Sequence, residues 1–268
     1  MSETALITGA SSGLGMEYAK LFAADKRDVV LVARRRDRLH ALANELTGKR
    51  GIKAYVIAED LVDPAAPQRI VEEVKRDGLQ IDYLVNNAGF GATGPFAQTD
   101  LARELAMVQV NITALVALTR ALLPEMIQRK RGRILNVGST AGFQPGPFMA
   151  VYYASKAFVN SFTEALWYEL RGTGVSATVS CPGATATEFS AVAGNDRTRL
   201  FKLGAMNAAE VARQGYQAML EGKPLVIHGL KNRILAGSVR ISPRPIVRAI
   251  SASMNRPPGP RQTLEIKP

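Results

Sequence analysis

Residues 4–15 read Thr-Ala-Leu-Ile-Thr-Gly-Ala-Ser-Ser-Gly-Leu-Gly, an apolar run that leads into a glycine-rich turn. Residues 16–24 continue with a helical pattern, so the stretch predicts a strand, a tight turn and a helix N-terminus in succession. Glycines let the backbone approach a ligand closely, and the N–H groups and dipole of a helix N-terminus attract negative charge. We interpret the turn as a cradle for dinucleotide phosphates, although its spacing is Gly-x-x-x-Gly-x-Gly and an ordinary βα turn is the alternative. The residues of the predicted cradle are Gly9, Ser11, Ser12, Gly13, Leu14 and Gly15.

Three consecutive arginines follow the next predicted strand, residues 28–33. In dinucleotide folds an acid at the end of this strand binds the ribose 2′-hydroxyl of NAD, whereas arginine accommodates the 2′-phosphate of NADP. Here that position holds an alanine, and guanidinium groups suit bidentate contact with phosphate. We therefore predict that Arg34 and Arg35 bind the 2′-phosphate, which favours NADP(H) over NAD(H). A solvated helix start is the alternative, and we assign it to Arg36 and Arg38.

Strands and helices alternate along the rest of the chain, which predicts a parallel sheet with helices on both faces. Polar or glycine-containing turns follow four of the strand ends, and in such folds these ends line one ligand crevice. We predict an α/β, doubly wound parallel sheet (Rossmann-type) of about seven strands. It forms a single domain, residues 1–268, in which residues 229–268 are a basic helical extension. The further predicted strands are residues 52–58, 83–85, 133–137, 176–180 and 225–227. The further predicted helices are residues 67–77, 100–129 (one helix, or two joined near Pro124), 148–171 and one that begins at Asn207.

Tyr152 and Lys156 are four residues apart in a predicted helix, so their side chains share one face about a turn apart. A phenol has an ordinary pKa near ~10, and a nearby ammonium favours the phenolate and lowers that pKa. Such a tyrosine can donate or accept a proton at neutral pH. Tyr153 points about 100° away on the same helix and cannot take the same place. The spacing alone also fits an ordinary surface helix.

Six motifs occur in one order along residues 4–227 and together decide between these alternatives. They are Thr8-Gly9-x-x-x-Gly13-x-Gly15, Asp60, Asn86-Asn87-Ala88-Gly89, Asn111, Ser139 with Tyr152 and Lys156, and Pro182-Gly183. In this order they resemble the short-chain dehydrogenase/reductase family, in its single-domain branch. The resemblance implies an enzyme that transfers a hydride between NADP(H) and a carbonyl or secondary alcohol. The alternative is a catalytically silent NADP(H)-binding regulatory protein on the same fold, which would not need the serine, tyrosine and lysine that this chain keeps.

The resemblance also implies a role for each of the polar motif residues. Tyr152 would be the general acid/base at the substrate oxygen, while Lys156 would lower its pKa and hold the nicotinamide ribose. Ser139 would hydrogen-bond the substrate oxygen, and Asn111 would hold a water that relays protons through Lys156. A strand-end cap and an asparagine that binds its own backbone are the alternatives at these two positions. The remaining implied cofactor contacts are Asp60 and Leu61 at the adenine, Asn87, Ala88 and Gly89 beside the cofactor, Pro182, Gly183 and Thr185 in the last turn, and Thr187 at the carboxamide.

Two positions depart from the family pattern. The usual serine pair is Gly138-Ser139 here, although the second, catalytic position is kept. Members that prefer NADP often carry a base just before the middle glycine, where this chain has Ser12, so one of two basic markers is missing. No metal site is predicted, because the two histidines, His40 and His228, are isolated in the sequence.

Phenylalanines near the motifs predict an apolar substrate pocket, and therefore a hydrophobic ketone or aldehyde as the small-molecule substrate. Ordinary core packing is the alternative for any one of them. Residues 190–204, which follow Thr187, read as a mobile lid that closes over the substrate. The phenylalanines are Phe90, Phe143, Phe148, Phe189 and Phe201.

Positive charge is concentrated near the C-terminus of a chain whose formal net charge is +11. Two predicted helices, residues 232–240 and 245–255, lie in this basic extension, and the second has an apolar stripe of Val247, Ile250 and Met254. Such a pair can cover the substrate cleft or pack against a partner subunit. We favour these roles over peripheral contact with an anionic membrane, because the stripe is short. No nucleic-acid motif accompanies the charge, so no nucleic-acid partner is predicted.

A single cysteine, Cys181, and the absence of a signal-peptide pattern predict a cytoplasmic location. We also expect no apolar run of the roughly 18–20 residues that span a bilayer. By analogy with the family, a homodimer or homotetramer is expected, formed through the helices that follow Asn111 and Ser139.

Overall fold

The computed structural model of the protein describes residues 2–194, 198 and 204–257. The strands are β1 Thr4–Thr8, β2 Asp28–Ala33, β3 Ala54–Ala58, β4 Ile81–Asn86, β5 Gly132–Val137, β6 Val175–Cys181 and β7 Leu225–Ile227. Within the described residues they form one sheet in the order β3-β2-β1-β4-β5-β6-β7, and every neighbouring pair runs parallel. The predicted parallel sheet is therefore confirmed.

Helices cover both faces of the sheet, as expected for a doubly wound fold. They are α1 Gly13–Ala24, α2 Arg36–Arg50, α3 Ala66–Arg76, α4 Leu101–Val108, α5 Ala114–Gln128, α6 Ala150–Glu169, α7 Phe189–Ala193, α8 Ala208–Leu220, α9 Leu230–Ser238 and α10 Arg244–Asn255. Successive residues of β1 point to opposite faces. Ile7 belongs to the core beneath α1, α2 and α8, and Leu6 belongs to the core beneath α3, α5 and α6. Both side chains are fully buried, so each face of the sheet has its own apolar layer.

The order of the strands places the turns after β1 and β4 side by side. Strand β1 lies between β2 and β4, so the chain reverses its course across the sheet after β3. Ligands of such folds bind in the crevice at this reversal. Thr8 joins the two turns, because its Oγ1 accepts hydrogen bonds of 3.0 Å from the N–H groups of both Asn87 and Ala88. The glycine-rich turn and the Asn-Asn-Ala-Gly turn thus form one rim of the crevice.

A π-helical turn, Gln109–Thr113, joins α4 to α5. Of the two predicted alternatives for residues 100–129, that of one continuous helix is confirmed, and that of two helices joined near Pro124 is wrong, since this proline lies inside α5. The irregular turn instead contains Asn111, whose side chain binds the backbone of Phe90. Its Oδ1 accepts from the Phe90 N–H at 3.1 Å, and its Nδ2 donates to the Phe90 carbonyl at 3.0 Å. Single π turns inside α-helices frequently occur at functional sites, and this one turns Asn111 toward the loop after β4.

The continuous helical segment Leu101–Gln128 is long and apolar enough to cross a membrane. The expectation that no such run exists is therefore wrong for this segment. Part of its apolar surface packs on the sheet, where Val110, Leu118 and Leu122 belong to the core shared with α3 and α6. The central helix of a soluble α/β domain has the same length and composition, so we interpret the segment as a core helix.

Most helices begin within two residues of the predicted start, whereas α1 begins at Gly13, three residues early. Helix α6 begins at Ala150, because Phe148 has a φ of +67° and so cannot belong to a right-handed helix. The start of α8 is confirmed, since the Oδ1 of Asn207 accepts from the N–H of Glu210 at 3.2 Å.

The C-terminal extension packs on the domain through α10. The Tyr153 hydroxyl donates to Asn255 Oδ1 at 3.0 Å, and Asn255 Nδ2 donates to the Pro147 carbonyl at 3.3 Å. Helix α10 therefore covers the start of α6. The prediction of one apolar stripe on this helix is wrong, because Val247 is 6% exposed whereas Ile250 is 60% exposed.

His228 follows β7 and is fully buried. Its Nδ1 lies 3.0 Å from Gln214 Oε1 and its Nε2 lies 2.8 Å from Ser180 Oγ. Because an amide oxygen only accepts, the ring proton belongs on Nδ1, and Nε2 accepts from the serine hydroxyl. Burial lowers the pKa of His228 to about 4, against a smaller opposite effect of Glu210.

Replacing His228 with glutamine is expected to reduce the acid sensitivity of the fold. The lowered pKa means that the unfolded chain binds this proton more readily, so stability is present above the ordinary pKa of 6.5 and is lost as the pH falls toward 4. The variant should lose about 3 kcal/mol less of its unfolding free energy over this range. Urea unfolding at both ends of the range measures the difference, with the exposed His40→Gln as the control. If the unfolding free energy of the His228 variant fell as steeply with pH as that of the wild type, His228 would not be the cause of the acid sensitivity.

Candidate active site

The carboxyl ends of the strands surround a cavity of about 390 Å³ at the reversal between β1 and β4. Every residue predicted for the site lines it except Gly15 and Asn111, which lie behind the lining residues Gly9 and Gly89. The predicted residues in the lining are Gly9, Ser11, Ser12, Gly13, Leu14, Arg34, Arg35, Asp60, Leu61, Asn87, Ala88, Gly89, Ser139, Tyr152, Lys156, Pro182, Gly183, Thr185 and Thr187. Residues from six strand ends thus converge on one space.

The glycine-rich turn has a backbone shape and a close packing that require glycine. Gly9 and Gly13 have φ values of +67° and +55°, in the left-handed region. A Cβ at Gly15 would overlap the Gly9 carbonyl oxygen, and a Cβ at Gly13 would lie 3.1 Å from Thr187 Cγ2. The turn therefore exposes backbone N–H groups to the cavity at the N-terminus of α1, where they suit a phosphate. These residues fit the pyrophosphate of a dinucleotide.

Arg35 makes a cluster of polar contacts at the rim of the cavity. It donates to Ser11 Oγ at 3.0 Å and to Ser12 Oγ at 2.8 Å, and its Nη1 lies 2.7 Å from Glu188 Oε2. Arg38, in the first turn of α2, binds the other oxygen of Glu188 at 2.6 Å while its side chain stays 51% exposed. The hydrogen bonds from Arg38 and Arg35 lower the pKa of Glu188 to about 2. This ion-pair cluster joins the end of β2 to the segment after β6.

Arg34 and Asp60 lie on the neighbouring part of the rim. The Arg34 side chain is 70% exposed, and its Nη1 lies 3.8 Å from Asp60 Oδ2. The other Asp60 oxygen accepts from the Val62 N–H at 3.0 Å, which fixes the carboxylate while leaving it open to the cavity. Leu61 is 7% exposed and packs inward. Both positions are compatible with the predicted adenine contacts.

Tyr152 lies at the other end of the cavity, with Ser139 and Phe189 around it. Its ring centroid is 5.3 Å from that of Phe189, and Ser139 lines the same cavity. Burial raises the pKa of Tyr152, and the nearby Ser139 side chain offsets this only in part. In the protein chain alone the phenol is therefore a protonated acid. The expectation of a net lowered pKa is wrong for the chain by itself, because burial outweighs the other effects. The contribution of Lys156 to this pKa stays a prediction.

Lys156 is buried beneath the cavity floor. Its Nζ lies 6.0 Å from the centroid of the Tyr152 ring and donates to the Val137 carbonyl at 2.7 Å. Burial lowers the pKa of Lys156 to about 8, so it carries its charge at neutral pH and loses it in mildly alkaline solution. The structure therefore holds an ammonium next to the phenol ring.

Asn111 meets Lys156 behind Gly89. A Cβ at Gly89 would lie 3.0 Å from Asn111 Oδ1 and 3.6 Å from Lys156 Nζ, so a larger residue here would press on the asparagine amide. The Asn111 amide also donates to Ser155 Oγ at 3.0 Å. Its side chain thus holds the loop after β4 against α6, and the proton-relay water near it stays a prediction.

Ser139 is fixed by its neighbours, and they explain the glycine before it. Its Oγ accepts from the Ala141 N–H at 3.0 Å, and its carbonyl accepts from Asn160 Nδ2 at 3.1 Å. A Cβ at Gly138 would overlap the Asn160 side chain and approach Val179 to 2.8 Å. The departure from the serine pair is therefore a packing requirement at the end of β5.

Comparisons with known proteins agree with this arrangement. The model of the family described as short chain dehydrogenase matches residues 3–198. The chain belongs to this family. Sulfoacetaldehyde reductase 2 from Chromohalobacter salexigens is 41% identical over 194 residues, which cover 72% of this chain and 76% of that protein.

Two solved structures share the fold of this short chain dehydrogenase. A short-chain dehydrogenase from Sphingobium yanoikuyae in complex with NADPH is 34% identical, with a TM-score of 0.80 over 89% of this chain and 94% of that chain. A bulky-bulky ketone specific alcohol dehydrogenase from Comamonas testosteroni is 30% identical, with a TM-score of 0.75 over 89% of this chain and 92% of that chain. The Rossmann-type fold is thereby confirmed.

The lining residues of this family member that were not predicted from the sequence include two with polar side chains, Glu188 and Asn232. The only sequence signal for Glu188 was an acid directly after Thr187. Asn232 donates from Nδ2 to the His228 carbonyl at 2.8 Å, and a Cβ at Gly183 would lie 2.6 Å from the same nitrogen. The beginning of α9 thus closes the cavity beside the Pro182-Gly183 turn.

Apolar side chains border the cavity near Tyr152. A Cβ at Gly91 would lie 3.1 Å from Phe189 Cζ and 3.3 Å from Met149 Cε, so these three residues pack into one wall. Val192 of α7 also lines the cavity. This wall is the part of the site where an apolar substrate group can lie beside the tyrosine.

The other predicted aromatic residues have different surroundings. Phe90 lines the cavity, and its ring lies 5.8 Å from the Arg103 guanidinium. Phe143 packs with the apolar cluster between α6 and β6, and Phe148 lies 5.6 Å from the guanidinium of Arg256. Phe201 and most of the predicted lid, residues 195–197 and 199–203, lie outside the described residues. In the part of the chain that the structure describes, no group of three or more His, Cys, Asp or Glu residues could hold a metal ion.

Proposed function

We propose that this protein is an NADP(H)-dependent oxidoreductase that interconverts a hydrophobic ketone or aldehyde and the corresponding alcohol. The observation that carries the proposal is that Tyr152 and Ser139 line the same cavity as the glycine-rich turn, the predicted phosphate cradle. When bound, NADP(H) supplies or accepts the hydride. A regulatory protein without turnover is not favoured, because the similar proteins are named reductases and dehydrogenases.

In this proposal Tyr152 protonates the carbonyl oxygen during reduction and takes the proton back during oxidation. Its raised pKa keeps the proton on the phenol until a substrate oxygen needs it. Ser139 holds that oxygen beside the phenol, since its hydroxyl is fixed at the Ala141 N–H. Lys156 stabilises the phenolate that remains and binds the nicotinamide ribose, and Asn111 positions the water that returns the proton.

The proposed preference for NADP(H) is supported by the rim after β2. Arg35 already binds a carboxylate, Glu188, with Arg38 on its other oxygen. A 2′-phosphate offers the same planar guanidinium a second anion of similar geometry. Arg34 is exposed at the same rim, where it can reach that phosphate as predicted.

The proposed substrate class is supported by the wall of Phe189, Met149 and Val192. This wall is apolar and borders the tyrosine, so it suits an apolar substituent on the carbonyl carbon. The relative from Comamonas testosteroni is specific for ketones described as bulky-bulky, and the one from Chromohalobacter salexigens is a sulfoacetaldehyde reductase. The relatives thus differ in substrate, so the proposed substrate class rests on the residues that line this cavity.

A screen of NADPH oxidation tests the proposed function directly. The purified protein is mixed with NADPH or NADH and with ketones, aldehydes, steroids, sugars or acyl thioesters, and absorbance of the reduced cofactor is followed. We expect turnover with apolar ketones or aldehydes and a higher kcat/KM with NADPH than with NADH. Binding of NADPH without turnover on any of these classes would contradict the enzyme and favour the regulatory alternative.

We further propose a cytoplasmic homodimer or homotetramer. Helix α6 supports this with exposed aromatic side chains, Phe158 at 40% and Tyr168 at 61%, on the helix that the family analogy places at an interface. Helix α5 adds the 38% exposed Ile127. Sedimentation velocity measures the assembly, and a monomer at all concentrations would contradict it.

A further inference from the structure

The helices of the C-terminal extension expose large aliphatic side chains to solvent. Their exposed fractions are Leu230 70%, Ile234 62%, Leu235 63%, Ile241 88%, Ile246 54% and Ile250 60%. Soluble proteins commonly expose such residues singly, whereas a contiguous group marks an interaction surface. These six residues lie within 21 positions of the sequence and on two consecutive helices with the short turn between them.

Basic residues accompany this group, and acidic residues are absent from the segment. No Asp or Glu occurs between residues 222 and 264. Five bases lie among the aliphatic residues: Lys231, Arg233, Arg240, Arg244 and Arg248. We call these bases and the six exposed aliphatic residues the C-terminal patch.

The outward orientation of Ile246 and Ile250 is fixed by the packing of α10. Val247, Ser251 and Asn255 recur every four residues and are all buried, so they form the inner face of the helix. Ile246 and Ile250 lie on another face and point outward. Because Asn255 is hydrogen-bonded to Tyr153, the helix cannot rotate to bury them without losing that bond.

The positive charge of the patch distinguishes between the kinds of partner that could bind there. A second copy joined by twofold symmetry would bring the same positive patch against itself, which is repulsive. A nucleic acid would be bound by polar and aromatic side chains, and the patch offers aliphatic ones. An anionic bilayer can bind both the aliphatic and the basic residues of the patch. The aliphatic side chains enter the acyl boundary, while Arg and Lys bind the lipid headgroups.

We propose that the C-terminal patch is a docking surface for membranes that contain anionic phospholipids. The protein attaches peripherally through α9 and α10, with the core helix Leu101–Gln128 remaining in the domain. Attachment is reversible and salt-sensitive, because neither helix spans the bilayer and the bases act through headgroup charge.

Vesicle flotation of the full-length protein tests the proposal. The probes are vesicles of phosphatidylcholine alone and of phosphatidylcholine with phosphatidylglycerol or phosphatidylserine. We expect flotation only with anionic vesicles, and its loss at high salt. The triple variant Arg240→Gln, Arg244→Gln, Arg248→Gln should weaken partitioning by about 100-fold, at about fivefold for each base. Ile246→Ser with Ile250→Ser should also abolish flotation.

Matched variants elsewhere on the surface control for general effects. Leu101 and Leu105 are 66% and 59% exposed on α4, so Leu101→Ser with Leu105→Ser removes the same amount of exposed aliphatic surface. Lys49→Gln, Arg76→Gln and Arg171→Gln remove three bases outside the extension. All variants should bind NADPH as the wild type does, which shows that they are folded.

Four results would overturn the proposal. They are absence of flotation with anionic vesicles, equal flotation with neutral ones, equal losses in patch and control variants, and flotation that appears only after residues 258–268 are removed. The last would mean that the end of the chain covers the patch. If the patch variants instead change the sedimentation coefficient without affecting vesicles, the patch is an interface between copies.

Discussion

Replacing Tyr152 with phenylalanine is expected to lower kcat for carbonyl reduction by about 10²–10⁴-fold, the usual contribution of a general acid. The variant keeps the ring, whose centroid lies 5.3 Å from that of Phe189, and loses only the hydroxyl, the proposed acid. The affinity for NADPH, measured by fluorescence titration, should stay within about twofold of the wild type, because no other group of the cofactor site is altered.

Two other tyrosines of α6, Tyr153 and Tyr168, give matched controls for this variant. Tyr168→Phe removes a hydroxyl from the same helix at a side chain that is 61% exposed, and it should leave kcat unchanged. Tyr153→Phe removes the hydrogen bond to Asn255 and should affect the packing of α10 more than the chemical step. Wild-type turnover in Tyr152→Phe, or an equal loss in all three variants, would contradict the assignment of the acid.

Replacing Arg35 with alanine is expected to weaken NADPH binding about 10- to 100-fold while changing NADH binding little, since only NADPH carries the 2′-phosphate. Arg35 holds Ser11, Ser12 and Glu188 together at the cavity rim, which makes it the best-placed guanidinium of the run. Equilibrium dissociation constants for the two cofactors measure the change. The control is Arg36→Ala, because Arg36 is the next residue in the chain and does not line the cavity.

Replacing Glu188, the ion-pair partner of Arg35, is expected to change the affinity for NADPH in the opposite direction. Because the Glu188 carboxylate occupies Arg35 and Arg38, Glu188→Gln should tighten NADPH binding. The gain should be about two- to fivefold, as these side chains are exposed and their ion pairs are weak. The double variant Arg35→Ala, Glu188→Gln should show no such gain if the carboxylate and phosphate compete for this guanidinium. Equal loss of NADPH and NADH affinity in Arg35→Ala would exclude a 2′-phosphate contact.

Much of the fold and of the candidate site was predictable from the sequence because the signals are local. An apolar run of five residues, Thr4–Thr8, is long enough for a buried strand, and the following glycines mark its end. Tyr152 and Lys156 share a helix face by their spacing alone. Once the strands are parallel, all polar turns at their carboxyl ends must lie on the same edge, so the cavity lining follows from the order of the motifs.

The details that were missed depend on residues far apart in the chain. Glu188 binds Arg35 across 153 positions, and Asn255 binds Tyr153 across 102, so no periodicity could show either pair. The start of α6 was misplaced because Phe148 adopts a left-handed conformation, which residue type does not predict. The direction of the Tyr152 pKa was misjudged because burial is a property of the folded surroundings.

The sequence by itself predicted the parallel α/β sheet and the glycine-rich turn before α1, because hydrophobic period and motif spacing act over a few residues. The resemblance of the ordered motifs to the family supplied the catalytic candidates. Only the tertiary structure decided that Glu188 joins the cofactor rim, that Asn111 sits in a π turn behind Gly89, and that Ile250 faces outward while Val247 is buried. These three outcomes depend on how separate elements pack together, and that packing depends on contacts between residues far apart in the sequence.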